Sequence, residues 1–192
     1  MDCARLSLYP GSRVFILKAS VAFGHEKRGL MEAIRLLVSD VDGVMNQGIL
    51  YFGTDGQECM KAFHVKDGMG IRRWLDAGNQ FAVISGRGSP ILKGRLEALG
   101  VRHLFENTED KLECLKKLLS DLGMSAEHVA YIGDDVNDLQ IIEWLRSQGG
   151  ATFCPADAVG NIQEASGSVL SLKGGEGCLR ECIDRIMGHN RS

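Results

Sequence analysis

Asp40 and Asp42 follow an apolar run at residues 34–38. Such a run is typical of a parallel strand covered on both faces, and α/β sheets carry their reactive groups at the C-terminal ends of these strands. Two carboxylates at one strand end repel each other at neutral pH unless a cation lies between them or one is protonated. Mg²⁺ prefers oxygen ligands and needs only one or two protein carboxylates when phosphate and water complete its coordination. The pair therefore predicts a magnesium-assisted phosphate site.

Polar residues also end two later apolar runs. Ser85 follows one of them, and Asp134 and Asp135 follow another, while Lys111 opens a predicted helix between the two. Taken singly, each has a simpler interpretation as a turn residue, a helix cap or a solvated side chain. In a parallel sheet, however, the C-terminal ends of all strands face the same way, so these residues can converge on one crevice. We therefore expect one shared site.

The elements that position these residues alternate between strands and helices. Apolar runs of strand length are separated by segments in which apolar residues recur at helical spacing, which favours right-handed crossovers and a doubly wound, Rossmann-like parallel sheet in the α/β class. The Asp55-Gly56 pair predicts a β-hairpin flap at about residues 45–66, followed by a helix from Asp67. The runs expected to form strands of the main sheet are residues 34–38, 81–84, 101–105, 129–132, 151–153 and 169–172.

Size and composition limit the possible classes of protein. The chain has 192 residues, of which 44% are hydrophobic, and this favours a single domain with one core. The net charge of −3, without a basic stripe, argues against nucleic-acid binding. No apolar run reaches the roughly 20 residues that span a bilayer, so we expect no membrane segment. The six scattered cysteines favour free thiols in a reducing cytoplasm.

We expect the folded domain to cover residues 32–188, with a short tail at residues 189–192. Residues 14–23 are apolar and have basic neighbours, but Lys18 interrupts them and no convincing cleavage site follows. Residues 1–31 are therefore interpreted as an extension that is either poorly ordered or the product of an overlong start.

Across residues 34–187 the chain resembles the haloacid dehalogenase superfamily. Residues 40–44 (DVDGV) are similar to its first motif, Ser85 to its second, Lys111 to its third, and residues 133–138 (GDDVND) to its fourth. The resemblance implies that Asp40 is the nucleophile that forms an aspartyl-phosphate. It also implies that Asp42 protonates the leaving group and then activates water.

The same resemblance implies a Mg²⁺ site and a phosphate site. The ligands of Mg²⁺ would be Asp134, a carboxylate oxygen of Asp40 and the main-chain carbonyl of Asp42, with Asp135 and Asp138 in support. Ser85 and Lys111 would bind the phosphoryl oxygens. In this superfamily an aspartate at the position of Asp42 favours phosphatases and phosphomutases. Only the hairpin fits between the first motif and the following helix, and no insertion follows the second motif, so we expect a capless enzyme.

Residues 61–68, residues 131–135, residues 173–181 and the hairpin resemble the 3-deoxy-D-manno-octulosonate 8-phosphate phosphatases. This resemblance implies a phosphoric monoester hydrolase that supplies a lipopolysaccharide precursor, in which the subunits of a cytoplasmic homotetramer cover one another's sites. Three residues depart from the usual pattern, which has Asn at His64, Arg at Lys66 and often a basic residue at Glu176. The expected substrate contacts are His64, Lys66, Gly86, Arg87 and Arg180.

Two other functions stay open at this point. Nonulosonate 9-phosphate phosphatases of the sialic-acid type are related, but they carry glutamate where this chain has Arg87, whose guanidinium can bind a substrate carboxylate. A catalytically silent assembly module linked to a nucleotide-sugar synthetase is the alternative from a different class. Because an idle site has no need to keep Asp42, the complete set of motifs argues against silence.

Overall fold

A computed structural model of the protein describes residues 33–188. The predicted extension at residues 1–31 and the tail at residues 189–192 lie outside these residues, so the domain boundaries stay predictions. Among the helices of the described part, none has the length and hydrophobicity needed to cross a bilayer.

The strands form one large and one small sheet. In chain order they are β1 (Leu36–Ser39), β2 (Tyr51–Phe52), β3 (Glu58–Met60), β4 (Gln80–Ile84), β5 (His103–Phe105), β6 (Val129–Ile132), β7 (Ala151–Cys154) and β8 (Ser168–Val169). The large sheet is parallel and has the order β5-β4-β1-β6-β7-β8, while β2 and β3 form an antiparallel pair. In the large sheet, β1 lies between β4 and β6 and places Leu36 beside Gln80 of β4 and Val129 of β6. The last strand is shorter than predicted and ends at Val169.

Helices cover both faces of the large sheet. They are α1 (Val65–Asp76), α2 (Pro90–Leu99), α3 (Lys111–Leu122), α4 (Leu139–Ser147), α5 (Gly160–Ala165) and α6 (Cys178–Ile186). Leu37 of β1 packs in the core under α1, α2 and α6, whereas Leu36 and Val38 pack under α3, α4 and α5. Because neighbouring residues of a strand point to opposite faces and both faces are covered, β1 is apolar from Leu36 to Val38. The doubly wound α/β fold is therefore confirmed.

Local capping explains where the helices near the site begin. The side chain of Asp110 accepts a hydrogen bond from the backbone of Glu113 at 2.9 Å, and Lys111 is the first residue of α3. Helix α1 begins at Val65, two residues before the predicted start, because His64 caps it through its ring nitrogen. The caps thus determine the first residue of each helix.

The predicted hairpin is present, but its strands are shorter than the 45–66 segment suggested. Gly53 donates its backbone N–H to the carbonyl of Gln57 at 2.8 Å, and Gly56 has a φ of 75°. The Asp55-Gly56 pair thus lies in the turn, where a residue without a Cβ adopts the left-handed conformation at no cost.

Candidate active site

A pocket of about 370 Å³ lies at the C-terminal edge of the large sheet. It collects the polar residues that follow β1, β4 and β6, as expected for strands that run in the same direction. The predicted residues among its lining are Asp40, Asp42, Ser85, Gly86, Arg87, Asp134 and Asp135. The other lining residues were given no role from the sequence; Gly43 and Asn137 lie within the first and fourth motifs, and the rest are Gln47, Gly48 and Asp157.

Asp40 is 6% exposed and follows β1 directly. Its Oδ1 accepts a hydrogen bond from the backbone N–H of Val41 at 2.7 Å, and its Oδ2 lies 2.9 Å from Nζ of Lys111. Burial and the neighbouring Asp138 raise the pKa of Asp40 to about 6, although the Lys111 ammonium opposes this shift. The carboxylate is therefore held in place among charges of both signs.

Lys111 is buried between two carboxylates. Its Nζ lies 2.9 Å from Oδ2 of Asp40 and 2.7 Å from Oδ1 of Asp138. Burial disfavours the ammonium, but the two carboxylates more than compensate and raise the pKa of Lys111 above its usual value. The side chain is therefore a fixed positive charge behind Asp40.

Asp138 has partners on both carboxylate oxygens. Its Oδ1 accepts hydrogen bonds from Lys111 Nζ at 2.7 Å and from the buried hydroxyl of Tyr131 at 2.6 Å. Its Oδ2 accepts from the backbone N–H groups of Asp134 at 2.9 Å and Asp135 at 3.3 Å. These bonds saturate the carboxylate, so Asp138 shapes the loop after β6.

Asp134 has a buried Oδ1 atom without a hydrogen-bond partner. Burial, followed by the negative charges of Asp40 and Asp138, raises the pKa of Asp134 to about 7. One carboxylate oxygen from each of Asp40, Asp134 and Asp138 lies within 4.8 Å of the others. Such crowding of buried oxygens fits a hard divalent cation, which would supply the missing partner and offset the repulsion. Because Asp138 is saturated, Asp40 and Asp134 are the side chains left to bind it.

Gly43 allows the loop after β1 to approach Asp134. Its φ is 86°, and a Cβ built on it would lie only 1.9 Å from Oδ2 of Asp134. Any side chain here would displace the carboxylate. Absence of a side chain at this position is thus a condition of the site's geometry.

Asp42 makes a different set of contacts from Asp40. Its Oδ1 accepts hydrogen bonds from Nδ2 of Asn46 and Nζ of Lys61, both at 2.7 Å, and its Oδ2 lies 4.0 Å from Nε of Arg87. Burial raises the pKa of Asp42, but the hydrogen bonds from Asn46 and Lys61 outweigh burial and the net pKa is lowered. Asp42 is therefore ionised at neutral pH in this state.

Ser85 and its neighbours form the side of the pocket that follows β4. The Ser85 side chain is buried, and its Oγ accepts the backbone N–H of Arg87 at 3.2 Å. The guanidinium of Arg87 is half exposed and faces Asp42. This loop presents one hydroxyl and one cation to the pocket.

Three predicted substrate contacts lie outside the pocket of the described chain. Nδ1 of His64 accepts the backbone N–H of Lys66 at 3.3 Å, and the Lys66 side chain is exposed. Nε of Arg180 donates to Oδ2 of Asp184 at 2.7 Å, one turn further along α6. The structure does not bring these side chains to Asp40, and their roles stay predictions.

The sequence did not identify Lys61, Asn46 or Tyr131 as parts of the site. Tyr131 lies on an apolar strand, where its buried hydroxyl needs a hydrogen-bond partner, and this requirement indicates a polar side chain nearby. Lys61 reaches Asp42 only because the chain folds back around the hairpin, whereas Asn46 reaches it within the turn that follows β1. No spacing rule predicts the contact of Lys61.

Comparisons with known proteins agree with this geometry, although no family model matches the chain. The 3-deoxy-D-manno-octulosonate 8-phosphate phosphatase KdsC of Yersinia pestis is 41% identical over 155 residues, which cover 80% of each protein. A 3-deoxy-D-manno-octulosonate 8-phosphate phosphatase from Moraxella catarrhalis was solved in complex with magnesium, phosphate and KDO. That structure is 31% identical, has a TM-score of 0.80, and the match covers 85% of this chain and 91% of that one.

A solved protein from Legionella pneumophila, described as a putative HAD superfamily (subfamily III A) hydrolase, shares 33% identity and a TM-score of 0.82. The match covers 90% of this chain and 91% of that chain. A chain with this fold and these likenesses is a member of the haloacid dehalogenase superfamily. Within that superfamily it belongs to the family of the 3-deoxy-D-manno-octulosonate 8-phosphate phosphatases.

Proposed function

We propose that this protein hydrolyses 3-deoxy-D-manno-octulosonate 8-phosphate to the free sugar acid, a lipopolysaccharide precursor, and phosphate. The observation that carries the proposal is the convergence of Asp40, Asp42 and Asp134 in one pocket, in a chain of this family. The relative from Moraxella catarrhalis, bound to magnesium, phosphate and KDO, supports the same assignment.

The side chains of Asp40 and Asp134 and the main-chain carbonyl of Asp42 would hold Mg²⁺, with Asp135 and Asp138 in support. The unpartnered Oδ1 of Asp134 supports this set, as do the raised pKa values of Asp40 and Asp134. Bound Mg²⁺ would neutralise negative charge on the two aspartates and on the phosphoryl group. Asp138 contributes indirectly, since its four hydrogen bonds fix the loop that carries Asp134.

In the first step a carboxylate oxygen of Asp40 attacks phosphorus, and the bond from phosphorus to the sugar oxygen breaks. Asp42 gives its proton to that leaving oxygen. Although Asp42 is ionised in the resting site, the negative charge of a phosphate ester beside it favours the protonated form. The product of this step is an aspartyl-phosphate on Asp40.

In the second step Asp42, now ionised, takes a proton from a water molecule that attacks the same phosphorus atom. The bond from phosphorus to Asp40 breaks, and free phosphate leaves. Ser85 donates its hydroxyl to a phosphoryl oxygen, and the buried charge of Lys111 stabilises the negative charge that spreads over the phosphoryl group. The lowered pKa of Asp42 keeps its carboxylate ionised, which is the form that accepts a proton in this step.

Arg87 is the group in the pocket that fits the carboxylate of a sugar acid. Its guanidinium is half exposed, and Gly86 beside it lets a ligand approach the backbone. His64, Lys66 and Arg180 lie outside the pocket of their own chain. We assign them to substrate contacts at the site of a neighbouring subunit in a homotetramer.

Exposed apolar side chains support the tetramer. Soluble monomers rarely keep large apolar surfaces in contact with water, so the concentration of such side chains in this stretch of chain supports a surface for association. We call it the hairpin patch; its members, on the hairpin and the start of α1, are Ile49, Tyr51, Phe52, Met60, Val65 and Met69. A neighbour bound there would wall a pocket that its own chain leaves open.

We also propose that the enzyme is cytoplasmic. The five cysteines within residues 33–188 are free thiols, which is the usual state in a reducing compartment.

The test is an assay of phosphate release by the purified protein. We expect Mg²⁺-dependent hydrolysis of octulosonate 8-phosphate that stops with EDTA, and a kcat/KM at least ~10-fold above that for a nonulosonate 9-phosphate. A higher kcat/KM for the nonulosonate ester would instead identify the protein as a nonulosonate 9-phosphate phosphatase of the sialic-acid type. If no acidic sugar phosphate were hydrolysed in a metal-dependent way, the proposed enzymatic activity would be refuted. A catalytically silent assembly module would then be favoured.

A further inference from the structure

Lys61 is a buried cation beside the pocket that the proposed mechanism leaves without a role. Its side chain is 2% exposed, and its Nζ lies 2.7 Å from Oδ1 of Asp42 and 3.4 Å from Oε2 of Glu58. A buried ammonium is costly unless it is paired, so these two carboxylates determine where it lies. Lys61 is absent from the pocket lining and reaches the site only through Asp42.

Asn46 holds the same oxygen of Asp42 from a second direction. Its amide oxygen accepts the backbone N–H groups of Gly48 at 2.7 Å and Gly43 at 3.4 Å, which turns its Nδ2 towards Asp42. Oδ1 of Asp42 therefore has two donors at 2.7 Å, whereas Oδ2 lies 4.0 Å from Nε of Arg87, and both Asp42 and Arg87 line the pocket. The two oxygens of Asp42 are not equivalent.

Glu58 connects Lys61 to the other wall of the pocket. Its Oε1 accepts a hydrogen bond from Oγ of Ser89 at 3.0 Å, and the backbone N–H of Ser89 donates to Oε1 of Glu106 at 2.7 Å. The position of Lys61 thus depends both on the hairpin and on the loop that carries Arg87. Several independent contacts determine its place, as expected of a residue that orients another.

We propose that Lys61 is a positioning residue, which fixes Oδ1 of Asp42 so that Oδ2 exchanges the proton with the leaving group. The inference rests on the proposed function, because it gives Asp42 the role of acid and base. Lys61 itself touches neither the substrate nor the reacting atoms. Without it, Asp42 keeps only the Asn46 hydrogen bond and can rotate about its side-chain bonds.

The test compares two leaving groups. A sugar alkoxide needs a proton as it departs, whereas p-nitrophenolate departs without one. We expect Lys61→Met to slow aspartyl-phosphate formation about 10-fold with octulosonate 8-phosphate, and less than ~2-fold with p-nitrophenyl phosphate. Rapid-quench measurement of the phosphoenzyme and stopped-flow detection of the nitrophenolate burst report this step directly. Lys93→Met, the same change at an exposed lysine of α2, should leave both rates unchanged.

The Asp42→Asn background supplies a second comparison. If Lys61 acts through Asp42, adding Lys61→Met to Asp42→Asn should change neither rate by more than ~2-fold. A further loss in that background, or equal losses with both leaving groups in the single variant, would show that Lys61 merely supports the hairpin. Unaltered rates in Lys61→Met would equally overturn the proposal.

Thermal unfolding shows whether the variant keeps its fold. Should Lys61→Met fail to fold, Glu58→Gln replaces it, since this change removes the charge that holds Lys61 from the hairpin side. Its loss should be smaller, about 3-fold, and again confined to the sugar phosphate. Failure of the proposed function can be distinguished from failure of the Lys61 proposal, because the wild-type protein would then hydrolyse no sugar-acid phosphate.

Discussion

Asp40 is placed for nucleophilic attack, but burial and its negative neighbours oppose its ionisation. Burial and Asp138 raise the pKa of Asp40 to about 6, while Lys111 at 2.9 Å favours the charged form. A cation between Asp40 and Asp134 would shift this balance further towards the carboxylate. The metal is therefore expected to prepare the nucleophile as well as to bind phosphate.

Asp40→Asn tests the nucleophile directly. The amide has nearly the same shape as the carboxylate but cannot attack phosphorus, so we expect turnover of octulosonate 8-phosphate to fall by about 10³-fold or more. No phosphoenzyme should accumulate in rapid-quench experiments. Asp121→Asn makes the same change at an exposed position of α3 and should retain wild-type kcat. Substantial activity in the Asp40 variant would remove this residue from the mechanism.

The raised pKa values of Asp40, about 6, and Asp134, about 7, imply a pH-dependent stability of the metal-free protein. Unfolded carboxyl groups lose their protons near pH 4. Between about pH 4 and pH 7 the folded state therefore binds more protons, and its free energy of unfolding must fall as the pH rises. We expect this decline in urea titrations with EDTA, and a gain in stability when Mg²⁺ is added near neutral pH.

Asp134→Asn separates this effect from other titrating groups. The metal-free variant should be more stable than wild type at about pH 7.5 and similar at about pH 4, because it lacks one of the repelling carboxylates. It should also lose most of the stabilisation by Mg²⁺. Equal pH profiles for the two proteins would contradict the crowded-carboxylate account of the site.

At the scale of elements, the loops after β1 and β6 meet at one glycine. A Cβ on Gly43 would lie 1.9 Å from Oδ2 of Asp134, and the backbone there has a φ of 86°. We expect Gly43→Ala to lower the free energy of unfolding by more than ~1 kcal/mol and to weaken Mg²⁺ binding at least ~10-fold. Urea denaturation and calorimetric Mg²⁺ titration measure the two effects.

Gly78→Ala is the matched control for this prediction. Gly78 has a φ of 81°, but a Cβ there would meet nothing within 4 Å, so the variant carries only the backbone cost. We expect a loss of about 1 kcal/mol and unchanged Mg²⁺ affinity. If the two variants behaved alike, close packing of the loops would have no part in metal binding.

The strand ends could be predicted from the sequence because each strand and helix has its own local pattern of apolar residues. Continuous apolar runs indicated buried strands, and the parallel direction brought Asp40, Ser85 and Asp134 together. Lys61 could not be found in this way, since its contact with Asp42 depends on how the hairpin folds back. Asn46 meets Asp42 in the turn after β1, which no apolar pattern marks. Met69 stands at helical spacing from the apolar residues of α1, yet it is 55% exposed. Periodicity identifies the helix and its approximate face, but it does not determine how far the core extends.

At the scale of the whole molecule, the pocket of the subunit as described opens at the C-terminal edge of the large sheet. The described chain has no cap domain over the sheet edge, and the pocket is bordered by the segments that follow β1, β4, β6 and β7. The hairpin patch lies on the hairpin and α1, close in sequence to His64 and Lys66. A surface of this kind fits the proposal that specificity comes from a neighbouring subunit.

Phe52→Asp tests whether assembly through the hairpin patch contributes to catalysis. Phe52 is 57% exposed, so a charge there should cost the folded chain little, but it would be desolvated if a neighbour covered it. We expect size-exclusion chromatography with light scattering to show a smaller assembly, and kcat/KM for octulosonate 8-phosphate to fall about 10-fold or more. Val169→Asp, at an exposed position of the edge strand β8, should change neither. A Phe52 variant with normal mass and activity would mean that the pocket functions without this surface.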